Sequence, residues 1–440
     1  MENTVKHFTL KLAAAATLSA ALSSAAVAGG FMLTEQSVAG LGRAYAGAGI
    51  VGDDLSAVWY NPAGMSLLSG TAVQMGAVVA DLDLEVTTNR SATFDNGRNG
   101  TKENGRKHGV PIPNMYLVHQ IKDDMWFGLG ITVPFGMATE YDNNWAAADK
   151  GMNAEVKVFD INPNVAFKLT DTLSFGAGVS LQYVTAQFEQ RQALNVDYPQ
   201  AGNVRVRLNA DGWAWGGNLG FMWQPTENVR VGLAYRSQVN HKADGYLKTD
   251  LTTYATDATT PHTTSLKSND GHAEMSAPHV ITLTGTWKAT EALRLSGLVR
   301  WTNWSSFDKL PISGSSLGEA TGGLTSKHNA VYNWKDSWLF TVGADYDIND
   351  EFTVRGGVGY EISPVDDDKY RSATIPDTNR LWLSMGATWH ASKNLQSDFG
   401  IAYLKGIGNK DLYNDKGVKV AEFDKLDAIL WGAQFVYKFD

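Results

Sequence analysis

Two glycine-containing motifs in this chain have the spacing of chemical sites. Gly314-Ser-Ser-Leu-Gly318 fits the G-x-S-x-G pattern of serine hydrolases, in which the central serine, here Ser316, is the nucleophile. Gly47-Ala-Gly-Ile-Val-Gly52 fits the G-x-G-x-x-G pattern that cradles dinucleotide phosphates. Each pattern works only between a strand and a helix, and the sequence around both motifs predicts neither. We therefore predict no catalytic residue and no enzyme activity. The enzyme that remains as an alternative is an outer-membrane lipid hydrolase that uses Ser316.

Residue composition argues against metal, cofactor and nucleic-acid chemistry. The chain has no cysteine, which excludes thiolate catalysis and cysteine metal ligands, and its 9 histidines are scattered without metal-ligand spacing. The acidic run Asp366-Asp-Asp368 is more simply a solvated loop than a cation site. The formal net charge of −9 disfavours nucleic acid, which needs clustered cations. We predict no cofactor, no metal and no nucleic-acid partner.

The elements that would position any site are strands with one apolar face. In the segment 429–439, alternate side chains are apolar and mostly large, namely Ile429, Trp431, Ala433, Phe435, Tyr437 and Phe439. Successive side chains of a strand point to opposite faces, so these residues share one face and smaller or more polar residues take the other. The same alternation recurs at 173–183, 280–287, 338–346, 352–360 and 381–390. Such strands suit a wall between lipid and a polar lumen, whereas a soluble sandwich would need polar outer faces.

The number of strands and the lengths of their connections specify the architecture further. Weaker candidates between 71 and 405 bring the total to about fourteen strands, and an even number is expected of a bacterial barrel. Short turns at 168–172, 224–228, 347–351 and 391–394 alternate with long polar loops near 87–110, 135–153, 241–271, 306–334, 363–378 and 406–425. The sequence predicts an all-β fold, a transmembrane antiparallel β-barrel of about 14 strands over residues 71–440.

The first 28 residues have the pattern of a secretory signal peptide. Lys6 and Lys11 precede an apolar run from Leu12 to Leu22, and Ala26-Val-Ala28 fits the A-x-A cleavage site. The apolar run is too short to span a bilayer, although an N-terminal anchor helix is the alternative. We predict a signal peptide over 1–28, cleavage after Ala28, and a mature protein in the bacterial outer membrane, in contact with its lipids and monomeric.

Residues 29–70 do not read as a strand. The segments Gly40-Leu-Gly-Arg-Ala-Tyr-Ala-Gly-Ala-Gly49 and Asn61-Pro-Ala-Gly64 are rich in small and turn-forming residues. A barrel of this size leaves a lumen that wall side chains alone do not fill. We predict that 29–70 forms an N-terminal hatch, or plug, inside the lumen; a disordered periplasmic tail is the alternative.

Several motifs resemble the FadL family of outer-membrane transporters for long-chain fatty acids and other hydrophobic compounds. They span the mature chain and comprise Gly-Phe-x-Leu-x-Glu at Gly30 to Glu35, Gly40-Leu-Gly-Arg-Ala-Tyr-Ala-Gly47, Asn61-Pro-Ala-Gly64, Pro134-Phe-Gly-Met-Ala-Thr-Glu-Tyr141, Trp301-Thr-Asn-Trp-Ser-Ser-Phe307, Ser363-Pro364 and Ile375-Pro-Asp-Thr-Asn-Arg-Leu-Trp-Leu-Ser384. The resemblance implies a fourteen-strand barrel, a hatch that contains the motif Asn61, Pro62 and Ala63, and a substrate pocket inside. It implies passive uptake of long-chain fatty acids, and uptake of neutral hydrocarbons by the same route is the alternative.

The resemblance also implies which residues meet the substrate. Phe31 would occupy or border the pocket. Arg191, at the end of the fifth strand, resembles the family's pocket arginine, and Lys327 is the best match to its pocket lysine, with Lys335 as a rival. The alternative for Arg191 and Lys327 is that they are solvated cations of the loops with no part in binding substrate.

Release of substrate is implied to occur sideways, beside a kinked third strand. That strand, 126–134, contains Gly128 and Gly130 and ends at Pro134, and such residues weaken or bend a ladder. The glycines could instead simply face a crowded hatch.

The short loop near 189–203 puts an outer capture groove in doubt, and Met137, Tyr141, Trp145 or the loop near 241–271 would have to supply its apolar surface.

Overall fold

The computed structural model describes residues 29–89, 92, 94, 100, 102–105, 109–194, 202–254, 260–323, 325–414 and 416–439. The signal peptide predicted over 1–28 lies outside these residues. Within the described ranges, no helix is both long enough and apolar enough to cross a bilayer.

Fourteen antiparallel wall strands in this part of the chain close into one barrel, in which each strand pairs with the next and the last pairs with the first. The strands are β1 (Thr71–Thr88), β2 (Val110–Lys122), β3 (Met125–Glu140), β4 (Asn153–Lys168), β5 (Leu173–Ala193), β6 (Gly202–Thr226), β7 (Val229–Arg236, continuing as Val239–Tyr254), β8 (Pro261–Ala277, continuing as Val280–Lys288), β9 (Leu293–Thr302), β10 (Ser337–Asp347), β11 (Phe352–Ile362), β12 (Asn379–His390), β13 (Leu395–Ile407) and β14 (Lys419–Lys438). The predicted fold class and strand number are confirmed.

The apolar stripe read from the sequence is the outer face of this wall. In β14, the side chains of Trp431 and Phe435 are each 53% exposed, whereas the residue before each of them, Leu430 and Gln434, is fully buried toward the lumen. β14 closes the ring by pairing with β1 from Lys438 to Ala421. The period-two alternation therefore separates a lipid-facing surface from a packed interior.

The long loops are shorter than the sequence predicts, because several strands continue above the apolar band. Residues 241–271 were expected to form a loop, but β7 extends to Tyr254 and β8 begins at Pro261, and the two pair as a hairpin. Their outward residues, such as Asn240 and Lys242, are polar and exposed, so these extensions carry no apolar stripe to reveal them. The short strands Lys309–Ser313 and Lys327–Val331 form a second hairpin, and Lys102–Glu103 and Asp411–Tyr413 pair with β1 and β14.

Residues 29–70, here called the hatch segment, lie inside the ring of wall strands. They contain α1 (Val38–Leu41), α2 (Ala57–Tyr60) and the 3-10 helix Pro62–Leu67. Residues 31–48 are all buried. The other helical elements lie between wall strands and are α3 (Ser315–Ala320) and the 3-10 helices Ala148–Lys150, Trp304–Ser306 and Asp368–Tyr370.

Candidate functional site

Phe31, near the start of the hatch segment, lies at the centre of an aromatic cluster. Its ring centroid is 4.7 Å from that of Trp304, 5.2 Å from Phe307, 6.0 Å from Phe135 and 6.2 Å from Trp334. The side chain is 0% exposed. Rings at these separations, mostly edge to face, attract one another beyond the burial of their area. The hatch segment is therefore anchored at this point by one side chain.

Beside Phe31 lies an apolar cavity of about 30 Å³, here called the inner pocket. Six wall strands contribute to it through Met137, Val156, Phe188, Leu208, His241 and Met275. This volume has room for about one or two water-sized groups, far less than an acyl chain needs. Phe31 lines the same cavity, so its ring forms part of the boundary of this space.

The cations predicted from the sequence do not converge on the inner pocket. The Arg191 guanidinium stacks 4.3 Å above the Phe94 ring and donates a hydrogen bond to the Trp145 carbonyl at 3.2 Å. Lys327 is exposed, and Lys335, also exposed, pairs with Asp366. None of the three is among the pocket-lining residues, so only Phe31 of the predicted binding set lies there.

Sequence reasoning overlooked His241, which does line the inner pocket. It belongs to the β7 extension, where Val239, His241 and Ala243 alternate with exposed polar residues. That alternation is the signal that could have found it. From the sequence this residue is considered only as one of nine histidines without metal-ligand spacing, and a loop is predicted over 241–271.

The hatch segment runs along β3 immediately after Phe31. Met32 and Phe135 form an antiparallel bridge, the Leu33 amide donates to the Pro134 carbonyl at 2.8 Å, and the Gly136 amide donates to the Phe31 carbonyl at 2.9 Å. The Gln36 side chain donates to the Val133 carbonyl at 2.8 Å. The hatch segment thus adds a short piece of strand to the edge of β3.

This edge is available because the β2–β3 ladder stops early. The two strands pair only up to Met115↔Ile131, although β2 extends back to Val110 and β3 extends on to Glu140. The β3–β4 register shifts between Thr132 and Phe135, where Pro134 supplies no amide hydrogen. The ladder of β3 is therefore irregular at Pro134, here called the kink, and the strand continues past its predicted end there to Glu140.

The two glycines of β3 lie below this kink and face the lumen. A methyl group at Gly128 would lie 2.4 Å from the Met65 sulfur, and at Gly130 it would lie 3.3 Å from the Tyr116 ring. Gly128 thus makes room for the hatch segment, which is the alternative reading of these glycines. Their part in a gate stays a prediction.

The motif Asn61, Pro62 and Ala63 is held against glycines of the wall. The Asn61 side chain donates to the Phe221 carbonyl at 2.9 Å and accepts from the Ala63 amide at 3.1 Å. A methyl group at Gly220 would lie 2.1 Å from the Asn61 oxygen. The close approach requires glycine in β6, and it fixes the lower part of the hatch segment.

A buried ion network ties the hatch segment to the opposite wall. The Arg43 guanidinium is 2.6 Å from Asp53 in the hatch and 3.1 Å from Asp345 of β10. Arg355 of β11 lies 3.1 Å from Asp345 and 3.4 Å from Asp398 of β13. Removal of one partner from a buried pair of this kind costs about 3–5 kcal/mol, because a charge is left uncompensated.

Glu35 in the hatch segment is fully buried, and neither of its carboxyl oxygens forms a hydrogen bond with a described residue. Burial raises the pKa of Glu35 to about 8, and the nearby Glu361 carboxylate adds to the rise, whereas Arg300 and Arg380 oppose it. The docked hatch therefore favours the protonated form of this side chain.

Two further predictions concern surfaces rather than the pocket. Met137, Tyr141 and Trp145 are at most 6% exposed, so the expectation that they supply an apolar outer surface is wrong. Tyr141 stacks on Trp145 with ring centroids 4.4 Å apart, which buries both rings in the interior instead.

Ser316 is also buried, at 1% exposed, and its hydroxyl donates to the Leu247 carbonyl at 3.0 Å. Its other polar neighbours are the hydroxyls of Thr249 and Ser268.

A closed antiparallel barrel with an apolar outer face and an N-terminal segment in its interior has the architecture of an outer-membrane β-barrel with a plugged lumen. The model of the family described as outer membrane protein transport protein (OMPP1/FadL/TodX) matches residues 19–439. The chain belongs to this family, whose members are transporters of fatty acids and other hydrophobic compounds located in the outer membrane.

Similar proteins agree with this assignment. Outer membrane protein P1 of Haemophilus influenzae is 31% identical over 91% of each chain, and the long-chain fatty acid transport protein of Escherichia coli K12 is 29% identical over 96% of each. The structure of a Pseudomonas aeruginosa FadL homologue matches with a TM-score of 0.78 at 23% identity, covering 93% of this chain and 100% of the other. The structure of the Pseudomonas putida toluene transporter TodX matches with a TM-score of 0.68 at 18% identity, covering 88% and 94%. These structural likenesses concern the fold.

Proposed function

We propose that this protein takes up long-chain fatty acids passively, by capture in the inner pocket and lateral release beside β3. One observation carries the proposal: the same short segment fills the pocket with Phe31 and covers the open edge of β3 with Met32 and Leu33. A ligand that displaces Phe31 would pull on the hydrogen bonds to Pro134 and Gly136. Pocket occupancy and exposure of the β3 edge are therefore coupled through two adjacent residues.

The driving force is the transfer of apolar surface out of water. Each buried methylene contributes about 0.8 kcal/mol, so an acyl chain of sixteen carbons readily compensates for displacement of one aromatic side chain at about 3–5 kcal/mol. Release between β2 and β3 would then return the chain to lipid rather than to water. The protein thus has to lower a kinetic barrier only, and no energy source is required.

Entry is supported by a polar cavity of about 310 Å³ between the β5 end, the Lys327–Val331 strand and the loop 363–378. Phe188 and Tyr332 line this outer cavity and also the inner pocket. The two rings therefore form the partition between them. A ligand that enters from outside would pass between these rings to reach Phe31.

A second candidate function, uptake of neutral hydrocarbons, is favoured by the lining of the inner pocket. No Arg or Lys is among its described lining residues, so a carboxylate would enter without a cation to compensate for lost hydration. The Arg191→Ala variant separates the two functions. It should weaken binding of oleate if Arg191 captures the carboxylate, and it should leave uptake of toluene unchanged in either case.

The coupling itself is tested by locking the hatch to β3. The chain has no native cysteine, so Met32→Cys with Phe135→Cys gives one possible disulfide. This bridge is the non-hydrogen-bonded kind, with Cα atoms about 4.5 Å apart, within the roughly 4.4–6.8 Å range of disulfides. Cells with this variant as their sole transporter should lose oleate uptake when oxidised and regain it on reduction.

The two single-cysteine variants are the matched controls, and neither should respond to oxidant. Undiminished uptake by the fully oxidised double variant would overturn the proposed release route. Loss of uptake in both redox states would also count against it, because the route requires the reduced segment to move.

A further inference from the structure

His241 is a buried polar side chain that the fold leaves without a partner. It is 2% exposed, and neither ring nitrogen makes a hydrogen bond to a described residue. Its strand partner is Met275 of β8, and both side chains line the inner pocket. Buried polar groups are normally paired, because an unpaired one loses its hydration without compensation. The position therefore needs an explanation that packing does not supply.

The surroundings of His241 fix its chemical state. Apart from His241, only Gln187 and Tyr332 among the described lining residues carry a hydrogen-bonding side chain, and none of the lining residues is an acid or a second basic group. The neighbours Asn240 and Lys242 are exposed and polar, which places this part of β7 outside the apolar band. Burial lowers the pKa of His241 to about 4. At neutral pH the ring is thus uncharged, with one N–H donor and one acceptor nitrogen.

We propose that His241 determines the specificity of the inner pocket by hydrogen bonding to a neutral hydroxyl of the ligand. The ligand class is a long apolar chain or ring with one O–H group, as in an alcohol, a phenol or a protonated fatty acid. The hydroxyl donates to the acceptor nitrogen of His241 and replaces the water that it loses on entry. The proposal rests on the proposed function, since it assigns a headgroup partner within the same pocket.

The proposed hydrogen bond favours a hydroxyl over a hydrocarbon end or a carboxylate, because each of these two would leave a polar group without compensation. A hydrocarbon would fill the pocket but leave the imidazole without a partner, as it is in the closed state. A carboxylate anion would meet a neutral ring and no cation, and would lose its hydration with little compensation. The neutral hydroxyl is the one headgroup of the three that both satisfies the ring and enters at small desolvation cost.

The test compares dodecan-1-ol with tridecane, which differ by a hydroxyl in place of a methyl group. Full-length protein in detergent is titrated with each probe, and binding is followed by the change in total tryptophan fluorescence, to which Trp304 and Trp334 beside Phe31 contribute. In His241→Leu, the ratio of dodecanol to tridecane affinity should fall about five- to tenfold relative to the native protein, as expected for one lost hydrogen bond. Tridecane affinity itself should stay within about twofold.

Two control variants separate hydrogen bonding from packing. His241→Gln keeps a donor and an acceptor and should retain at least half of the native preference. Met275→Leu alters the neighbouring wall residue without changing polarity and should leave the ratio unchanged. Folding of each variant is checked by its heat-modifiable mobility in gels.

Three results would overturn the proposal. An unchanged affinity ratio in folded His241→Leu would overturn the role of His241 alone, with the uptake function intact. Tighter binding of dodecanoate than of dodecanol at pH 8 would overturn the preference for a neutral headgroup. Failure of the native protein to bind either probe would overturn this proposal, and failure to bind dodecanoate as well would overturn the proposed function.

Discussion

Substitution of Phe31 should release the hatch segment from β3 to a measurable extent. Phe31 is fully buried among four aromatic rings, and a Phe→Ala change at such a site costs about 3–5 kcal/mol. The two backbone hydrogen bonds to β3 do not involve the side chain and remain. If the whole cost falls on the docked state, the undocked population rises by roughly 10²- to 5 × 10³-fold. The barrel wall should be unaffected, because its strands pair without the hatch.

The absence of native cysteine allows a direct assay. Leu33→Cys places a thiol at a position that is 0% exposed while the segment is docked, so a water-soluble maleimide reacts only after undocking. The labelling rate then follows the undocked population when docking is fast relative to the reaction. We expect Phe31→Ala in this background to raise the rate by about 10² or more.

The matched control is Phe399→Ala in the same background, since Phe399 is 51% exposed on the outer face of the wall. It should leave the labelling rate unchanged. An increase of less than about threefold in a folded Phe31→Ala variant, where about 10² is expected, would refute the view that this ring holds the segment on β3.

Three further predictions concern charges of the hatch and the outer loops. Arg43→Met removes the cation between Asp53 and Asp345 and leaves Arg355 as the remaining cation near both, so the hatch should loosen by up to about 3–5 kcal/mol, and single-channel conductance in planar bilayers should rise. Glu35 has a raised pKa of about 8 in the docked hatch against an ordinary value of 4.5, so the docked state binds the proton more tightly and loses stability as pH rises through this window. The thiolate is the reactive species, so maleimide labelling at Leu33→Cys becomes faster with pH in any background. The ratio of the labelling rate with native Glu35 to the rate with Glu35→Gln should therefore increase from pH 5 to 8. Lys327→Ala and Lys335→Ala change exposed side chains outside the inner pocket, so oleate affinity, measured by tryptophan fluorescence, should stay within about twofold.

Each of these predictions has a clear contrary result. Unchanged conductance in Arg43→Met would mean that the ion network does not hold the hatch. A ratio of labelling rates, native Glu35 to Glu35→Gln, that falls with rising pH would reverse the sign assigned to Glu35. A large loss of oleate affinity in Lys327→Ala would restore the role that the family resemblance implies for this lysine.

The barrel could be read from the sequence because its signal is local. Alternation within β14, such as Trp431 and Phe435 against Leu430 and Gln434, depends only on neighbouring residues and on the two-residue period of a strand. Extensions above the membrane lack this contrast, since both faces carry polar residues. Hence the sequence predicts a loop over 241–271, where the extensions of β7 and β8 in fact pair with each other.

The residues that line the inner pocket could not be predicted from the sequence, because they come from six wall strands and from the separate hatch segment. Phe31 could be placed by its motif, but nothing local reveals that Arg191 turns toward Phe94 and away from the pocket, or that His241 turns inward. Such facts follow from strand register and loop packing, which are set by contacts between residues far apart in sequence. Local alternation and motifs are enough to predict a membrane barrel of this family, whereas the side chains that meet inside it are set by contacts that form only when the chain folds.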